Sequence, residues 1–300
     1  MPLSYLPFDV SLVIWLVLSF VPAALAVYFL TEKNKLAPLC FLALPGTFLN
    51  IRWGQNGFLT AALFGFGVYF VESNPMLAGL MFGLLTFKPQ MAILPFAMLF
   101  FAKKWKAFGW SAFFAAVLAI LAGLIFGFQT WIDFFSTAPE NSQLLSASWG
   151  ATKWAIPTLS TALRTMGLSG WGLTLILAAV TAFSIYLCVR VWNQTQRLSL
   201  RLMALVLCLF LSFPYISLYD FAILGVPFTL LFFERVSNTK QSFSAALLGL
   251  LWVLPFACII ISLQFNLQLC PFVLMGYLIA VVQKANQNTD VLTIHLGIQD

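Results

Sequence analysis

Long, uninterrupted runs of apolar side chains constrain this chain more than any other feature of its sequence. They recur along all 300 residues and leave 62% hydrophobic against only 8% charged residues. A soluble domain carries about 25% charged residues. A β-barrel would show short segments of alternating polarity, whereas these runs are continuous. The sequence therefore predicts an all-α, polytopic helical membrane protein.

The apolar runs outline the expected organisation of the chain. A full membrane span needs about 20 residues, and several runs reach that length, whereas four consecutive ones are shorter. About 11 runs are candidate membrane segments, at 9–30, 36–49, 57–72, 76–87, 91–102, 107–128, 170–191, 202–217, 219–233, 241–262 and 267–283. We expect one integral membrane domain over 1–284, with an external loop at 129–169, and a polar cytoplasmic tail at 285–300.

Basic residues cluster in short links between the runs, where they set the orientation of a membrane protein. The clusters lie at 33–35, 103–106, 190–201, 235–240 and 284. Placing them all in the cytoplasm threads the chain without conflict as a multi-pass protein of the plasma (inner) membrane. Because this bias accounts for the net charge of +6, the charge does not indicate nucleic-acid binding.

Other chemistry-bearing residues are sparse. The five cysteines are scattered through apolar runs without a C-x-x-C pair, so the sequence indicates neither a metal site nor a disulfide framework, and no cofactor is implied. The acids Glu32, Glu72 and Glu234 fall in cytoplasmic links, where we expect them to be solvated.

The four short runs form two hairpins in this threading, at 36–72 and 76–102, with tips that read IRWGQNG and FKPQ. A helix of about 12–15 residues rises roughly 18–22 Å. The hydrocarbon core is about 30 Å thick, so the tips are expected to lie recessed in the outer half of the bilayer. Irregular backbone at that depth requires a protein-lined or water-filled cavity.

The two tips carry Arg52 and Lys88. A lysine in a membrane span costs roughly 2.5–3.5 kcal/mol, so Lys88 needs a partner or a cavity. Two positive charges in an outward-open cavity favour an anion, and a phosphate at a membrane surface belongs to a lipid. The alternative is one long, kinked span over 76–102 from which Lys88 snorkels, but it would move the 103–106 cluster to the outside.

Asp220, in the segment SFPYISLYDF, is the only acid at the start of a membrane segment on the external side. An ionisable residue in that position is a functional candidate by default, here a catalytic one. The other possibility is that Asp220 pairs with Arg52 or Lys88 and holds the cavity together. The sequence leaves both roles open.

The external loop contains the segment PTLSTALRTMGL, which predicts a short helix that opens at Pro157 and Thr158 and closes at Gly167. Its apolar residues, Leu159, Leu163 and Met166, are expected to share one face in the membrane interface. The tryptophans of this loop suit sugar stacking or an interfacial aromatic belt.

Three segments together resemble the membrane enzymes of glycosyltransferase family 87, which include polyprenol-phosphate-mannose-dependent α-1,2-mannosyltransferases of the actinobacterial envelope. They are GQNGFLTAALFGFGVYF, NPMLAGLMFGLLTFKPQMAILPFAMLFFAKKWK and SFPYISLYDFAILGVPFTLLFFER. The order G-Q-N-G, T-x-K-P-Q and P-Y-x-x-x-Y-D carries the resemblance over about residues 1–240.

The resemblance implies a GT-C fold and transfer of a hexose, with mannose the best-known case, from a polyprenyl-phosphate-linked donor. The acceptor would be a glycolipid or glycan at the extracytoplasmic face. The positions expected to contact the donor or its sugar are Arg52, Gln55, Asn56, Lys88, Gln90, Tyr219 and Asp220.

The resemblance also implies one more helix and an external loop upstream of Met1, with the aspartate expected to act as the main catalytic base. The charge threading gives the same expectation, because Met1 would otherwise start outside and lead through an uncharged segment into the first run. An N-truncated enzyme is therefore expected. A transporter or lipid-linked-sugar translocase, which also uses broken helices, and a non-catalytic remnant remain as alternatives.

Overall fold

A computed structural model describes residues 2–137, 153–237 and 242–296. Within these ranges the chain forms helices and no strands, which confirms the all-α prediction. The labelled helices are α1 (Phe8–Leu30), α2 (Ala37–Leu42), α3 (Pro45–Trp53), α4 (Gly57–Phe70), α5 (Pro75–Leu84), α6 (Pro89–Phe101), α7 (Trp105–Phe126), α8 (Leu159–Thr165), α9 (Gly170–Gln194), α10 (Leu198–Ser212), α11 (Phe221–Val236), α12 (Ala245–Phe265) and α13 (Cys270–Leu296). Residues 129–137 are helical as well.

Four of the described helices, α1, α7, α9 and α12, are long and apolar enough to cross a membrane. Four shorter apolar helices accompany them: α4, α6, α10, and α5 with the 3-10 turn Leu85–Phe87 that continues it. Large apolar side chains such as Leu124 and Ile125 are exposed on the surface, which in water would be unfavourable but suits contact with lipid. The count of about 11 membrane segments stays a prediction.

The second predicted hairpin is present as α5 and α6. Glu72, before α5, and Lys104, after α6, are joined by a 2.8 Å ion pair, so both ends of the segment lie together. The Cα of Gly79 packs on Trp110 and that of Gly83 on Phe114, so α5 and α7 run parallel and α6 must return between them. A single kinked span would separate Glu72 from Lys104, and that alternative is therefore wrong.

The first hairpin differs from its prediction in detail. Phe20 lies 5.3 Å from Phe58 and Phe29 lies 6.3 Å from Phe66, ring centroid to centroid, so α1 and α4 run parallel. The chain returns between them through two helices, because it breaks ahead of Pro45, which starts α3. The single arm expected over 36–49 is therefore wrong. Helix α3 also extends through Trp53, so the tip begins only at Gly54, in a left-handed conformation with φ 60°.

One end of the helix bundle, the Glu72 end, is held by ion pairs. Arg201, only 2% exposed, donates to Glu72 at 2.9 Å, and Glu234 accepts from Arg197. Desolvation alone would raise the pKa of the Glu72 carboxyl, but Lys104 and Arg201 together hold that pKa below its usual value. The expectation that these acids are solvated agrees with Glu72, which is 42% exposed, but Glu72 and Glu234 each also close a contact between distant parts of the chain, which the sequence did not predict.

Helix α8 starts and stops where predicted. The Thr158 hydroxyl accepts from the backbone N–H of Thr161 at 3.3 Å, and Gly167 follows the helix with φ 90°. Its predicted apolar face is wrong, since Leu159 is buried whereas Met166 is 54% exposed. The reason is that the first turn packs into the protein, where Thr158 also donates to the Pro214 carbonyl at 3.0 Å.

The predicted domain limits are described only in part. Residues 138–152 of the external loop lie outside the described residues. Helix α13 continues past residue 284 without a break at the expected start of the tail. The division at 284 stays a prediction.

The expected start of the chain on the external side is likewise untested. Met1 lies outside the described residues, which begin at Pro2 with the short 3-10 turn Pro2–Tyr5 ahead of α1. The helix and external loop expected upstream of Met1 therefore stay a prediction.

Candidate functional site

Lys88 occupies the break between the 3-10 turn and α6. Its backbone is non-helical, with φ −123° and ψ 84°, because the following Pro89 disfavours a helical conformation. The Lys88 Nζ donates to Asp220 Oδ1 at 3.0 Å. The two side chains are 13% and 3% exposed, so this ion pair is largely withdrawn from solvent. The lysine therefore has a partner 132 residues away in the chain.

Asp220 closes the 3-10 turn Leu218–Asp220, which links α10 to α11. Its second oxygen accepts the backbone N–H of Ser217 at 3.1 Å, so both carboxylate oxygens are engaged. The ring of Tyr219 faces the Lys88 ammonium at 4.9 Å from its centroid. An ammonium has three N–H donors, and Asp220 accepts one of them, so Lys88 keeps donors for an anion.

The tip between α3 and α4 packs against the same turn. A Cβ placed on Gly57 would lie 2.6 Å from the Tyr219 carbonyl oxygen and 2.6 Å from Asn50 Oδ1, so only glycine fits. The contact brings the G-Q-N-G segment to the Y-D segment, which in turn holds the lysine of T-x-K-P-Q. The three segments that carry the family resemblance therefore meet at one end of the bundle, the Lys88 end.

The remaining predicted site residues differ in how deeply they are buried and in whether they contact Lys88 and Asp220. Gln55 and Gln90 are half-buried beside their turns, and the Asn56 side-chain oxygen is buried there. Arg52 is exposed in the last turn of α3, and within the described residues no hydrogen bond or ion pair joins it to Lys88 or Asp220. The structure thus brings Lys88, Tyr219 and Asp220 together and leaves Arg52 outside this contact.

Of the two roles left open for Asp220, the structure supports an ion pair with a basic residue. The partner is Lys88 and not Arg52. A catalytic role for Asp220 stays a prediction, and so does the main base expected upstream of Met1.

Several buried polar atoms at the Lys88 end have no hydrogen-bond partner within residues 2–137, 153–237 and 242–296. They are Asn50 Nδ2, Asn56 Oδ1, Ser212 Oγ and Gln268 Oε1. Nearly all buried polar groups in native proteins are hydrogen-bonded, and exceptions commonly mark a bound water or a functional site. This end of the bundle is therefore suited to a polar occupant. Asn50 was not among the predicted site residues, although an asparagine at the end of an apolar run is a signal that could have found it.

The end of the external loop also reaches this region. Trp154 lies 6.1 Å from Trp53, ring centroid to centroid, and Trp53 is 45% exposed. Gln268, in the link after α12, donates to the Lys153 carbonyl at 3.3 Å. Aromatic surface therefore borders the tip of α3.

Two adjoining apolar clefts run beside the site. They share Leu44, Pro45 and Trp252, at the break between α2 and α3 and on the facing side of α12. One cleft includes Phe221, the residue after Asp220, and the other reaches the exposed Phe48. Apolar surface is thus continuous from the neighbourhood of Asp220 to the outside of the bundle.

A comparison with protein families identifies the chain over most of its length. The model of glycosyltransferase family 87 matches residues 1–215, which include the first two motif segments, whereas Tyr219 and Asp220 lie just beyond the match. No curated protein and no solved structure matches the chain. The family is one of membrane proteins, in agreement with the apolar helices described above. The chain therefore belongs to glycosyltransferase family 87.

Proposed function

We propose that this protein transfers a hexose, with mannose as the first candidate, from a polyprenyl-phosphate-linked donor to a glycolipid or glycan acceptor. The reaction takes place at the extracytoplasmic face of the plasma membrane. The observation that carries the proposal is the largely buried Lys88 ammonium, held by Asp220 and Tyr219 where the three motif segments meet. Family membership favours a transferase over a transporter or translocase.

Lys88 binds the donor phosphate in this proposal. When the glycosyl bond breaks, negative charge grows on the departing phosphate, and a cation already in place stabilises it strongly where water is excluded. Asp220 holds the ammonium in position. Because Lys88 already neutralises the Asp220 carboxylate, we assign Asp220 to positioning and not to removal of the acceptor proton.

Removal of that proton requires a general base, and the family resemblance implies that this base is a carboxylate. The resemblance implies an aspartate on an external loop, and this assignment stays a prediction. The exposed Trp53 and its neighbour Trp154 offer stacking surface for the acceptor, since the apolar faces of sugar rings pack on indoles.

The depth of the site suits a lipid-linked donor. Helix α10 has 15 residues and so spans about 22 Å between the Arg201 cluster and the turn that carries Asp220. With the Glu72 end at the cytoplasmic surface of a hydrocarbon core about 30 Å thick, Lys88 lies below the outer surface. The wider apolar cleft, lined by Leu44, Phe48 and Trp252, offers the polyprenyl chain a surface at the side of the bundle.

The proposal is tested by donor binding, since binding does not require the catalytic base. The chain in nanodiscs is titrated with polyprenyl-phosphate mannose, and bound lipid is counted by native mass spectrometry. Asp220→Asn should retain affinity because Lys88 remains and the amide oxygen of the asparagine still accepts its hydrogen bond. Lys88→Met combined with Asp220→Asn should lose about 10–100-fold, the range expected for a hydrogen bond to a charged group.

Lys33→Met removes an exposed lysine far from this site, in the link after α1, and serves as the control that should bind as the wild type does. Wild-type affinity in the Lys88→Met, Asp220→Asn double variant would overturn the phosphate assignment.

A further inference from the structure

Asn50 is a fully buried side chain beside the candidate site that the sequence resemblance does not assign. It lies in α3 and is 0% exposed. Its Oδ1 accepts the backbone N–H of Gly57 at 2.8 Å, and its backbone carbonyl accepts the N–H of Gln55 at 3.3 Å. Asn50 therefore shapes the turn between α3 and α4 from within.

The orientation of the Asn50 amide follows from this contact. The N–H of Gly57 can only donate, so the atom facing it must be the oxygen, and the amide nitrogen is the other atom. That nitrogen is buried and has no hydrogen-bond partner among the described residues. A buried donor left unpaired costs about 1–3 kcal/mol, so this nitrogen is suited to an acceptor such as a water or a ligand hydroxyl.

The same turn carries the complementary group. The Asn56 side-chain oxygen is also buried, and no group in the described part of the chain pairs with it. One free donor and one free acceptor in a single turn match the two capacities of a hydroxyl, which accepts and donates at once. A phosphate oxygen, which only accepts, would leave the Asn56 oxygen unpaired.

The position of this turn relative to Lys88 indicates that the hydroxyl belongs to the sugar of the donor. Gly57, one residue after Asn56, packs on the Tyr219 carbonyl, and the Tyr219 ring faces the Lys88 ammonium. In a phosphate-linked sugar donor the ring is bonded directly to a phosphate oxygen. A phosphate on Lys88 therefore brings the hydroxyls of its sugar close to the turn.

We propose that Asn50 and Asn56 form the sugar-recognition part of the site, in which Asn50 Nδ2 donates to a hexose hydroxyl and Asn56 Oδ1 accepts from it. This inference rests on the proposed function, because it takes the ligand to be a phosphate-linked hexose. Lys88 binds the phosphate, and the turn between α3 and α4 binds the sugar through Asn50 and Asn56.

Two lipids separate these roles: polyprenyl-phosphate mannose and polyprenyl phosphate without a sugar. Asn50→Asp keeps the acceptor for Gly57 and removes the free donor, whereas Asn56→Ala removes the free acceptor at a half-buried position. Each variant should bind the mannosylated lipid about 3–10-fold more weakly, as expected for one neutral hydrogen bond, and the sugarless lipid as the wild type does. Asn56→Asp, which keeps an acceptor, should restore binding relative to Asn56→Ala.

Thr47→Val is the matched control. Thr47 is fully buried in the same helix, but its hydroxyl already donates to the Phe41 carbonyl at 2.7 Å, so its loss should not change the ratio of the two affinities. Thermal melting of each variant checks the fold, and Asn56→Ala decides the matter where Asn50→Asp fails to fold.

Equal weakening for both lipids, or for neither, would mean that the asparagines serve the turn or hold a water only, and would overturn the inference. A wild-type chain that binds neither lipid would instead overturn the proposed function.

Discussion

At the scale of single residues, the pairing of Lys88 with Asp220 is what makes a charge tolerable at this depth. Taking either charge alone out of water is unfavourable by several kcal/mol, in the general range of about 3–5 kcal/mol when one partner of a buried pair is removed. The Ser217 N–H on the second carboxylate oxygen completes the contact. The result is an ammonium fixed in place with donors to spare.

Truncation of Lys88 should therefore unfold the protein more easily than removal of both charges. Lys88→Ala leaves the Asp220 carboxylate, 3% exposed, without a counter-charge. We expect a loss of about 3–5 kcal/mol in the free energy of unfolding, measured in detergent. Adding Asp220→Asn should recover a large part of that loss. A double variant no more stable than Lys88→Ala would show that the ion pair does not act as described.

The sequence predicts those site residues best whose charge is unusual for their surroundings. Lys88 and Asp220 stand out because charge is scarce on the external side, and their pairing was one of the two roles foreseen for Asp220. The exposure of Arg52 was not predictable, because it depends on how far α3 extends. Asn50 was missed because its importance comes from a bond to Gly57 across a turn.

At the scale of elements, glycines allow the short helices to pack closely enough to form the site. Gly79 brings α5 against α7, where a Cβ would lie 2.2 Å from the Trp110 Cβ and 2.8 Å from the Ser111 backbone nitrogen. Because backbone cannot yield as a side chain can, the contact needs the bare Cα. This packing positions the turn that carries Lys88.

Gly79→Ala should accordingly lower the free energy of unfolding by about 1–3 kcal/mol, as overpacking does in general. Gly109→Ala is the matched control, since nothing lies within 4 Å of a Cβ at that position in α7. That change should be neutral or stabilise by about 0.5–1 kcal/mol. Equal effects in a thermal melt would contradict the parallel packing of α5 on α7.

Local breaks in the helices were easier to predict than contacts between them. Pro89 and Gly54 mark their turns through backbone geometry that neighbouring residues alone determine. Pro45 was overlooked as a break because it opens a helix inside an otherwise apolar run. The Arg201–Glu72 contact joins residues 129 apart, and no local pattern reports such a pairing.

At the scale of the whole molecule, the helix bundle has two polar ends, and short helices run between them. Ion pairs around Glu72 and Arg201 hold one end, and Lys88, Asp220 and the unpaired asparagine atoms mark the other. Charge bias predicts that the first end faces the cytoplasm. The central claim is that the lipid-linked donor binds at the Lys88 end.

Photo-crosslinking tests that claim most directly. A polyprenyl-phosphate mannose analogue with a photoreactive group next to its phosphate is added to the chain in nanodiscs, and labelled peptides are identified by mass spectrometry. We expect labelling within 50–57, 85–90 and 214–221, and excess unlabelled donor should suppress it. Competed labelling confined to the Glu72 end, around Arg201 and Glu234, would contradict it.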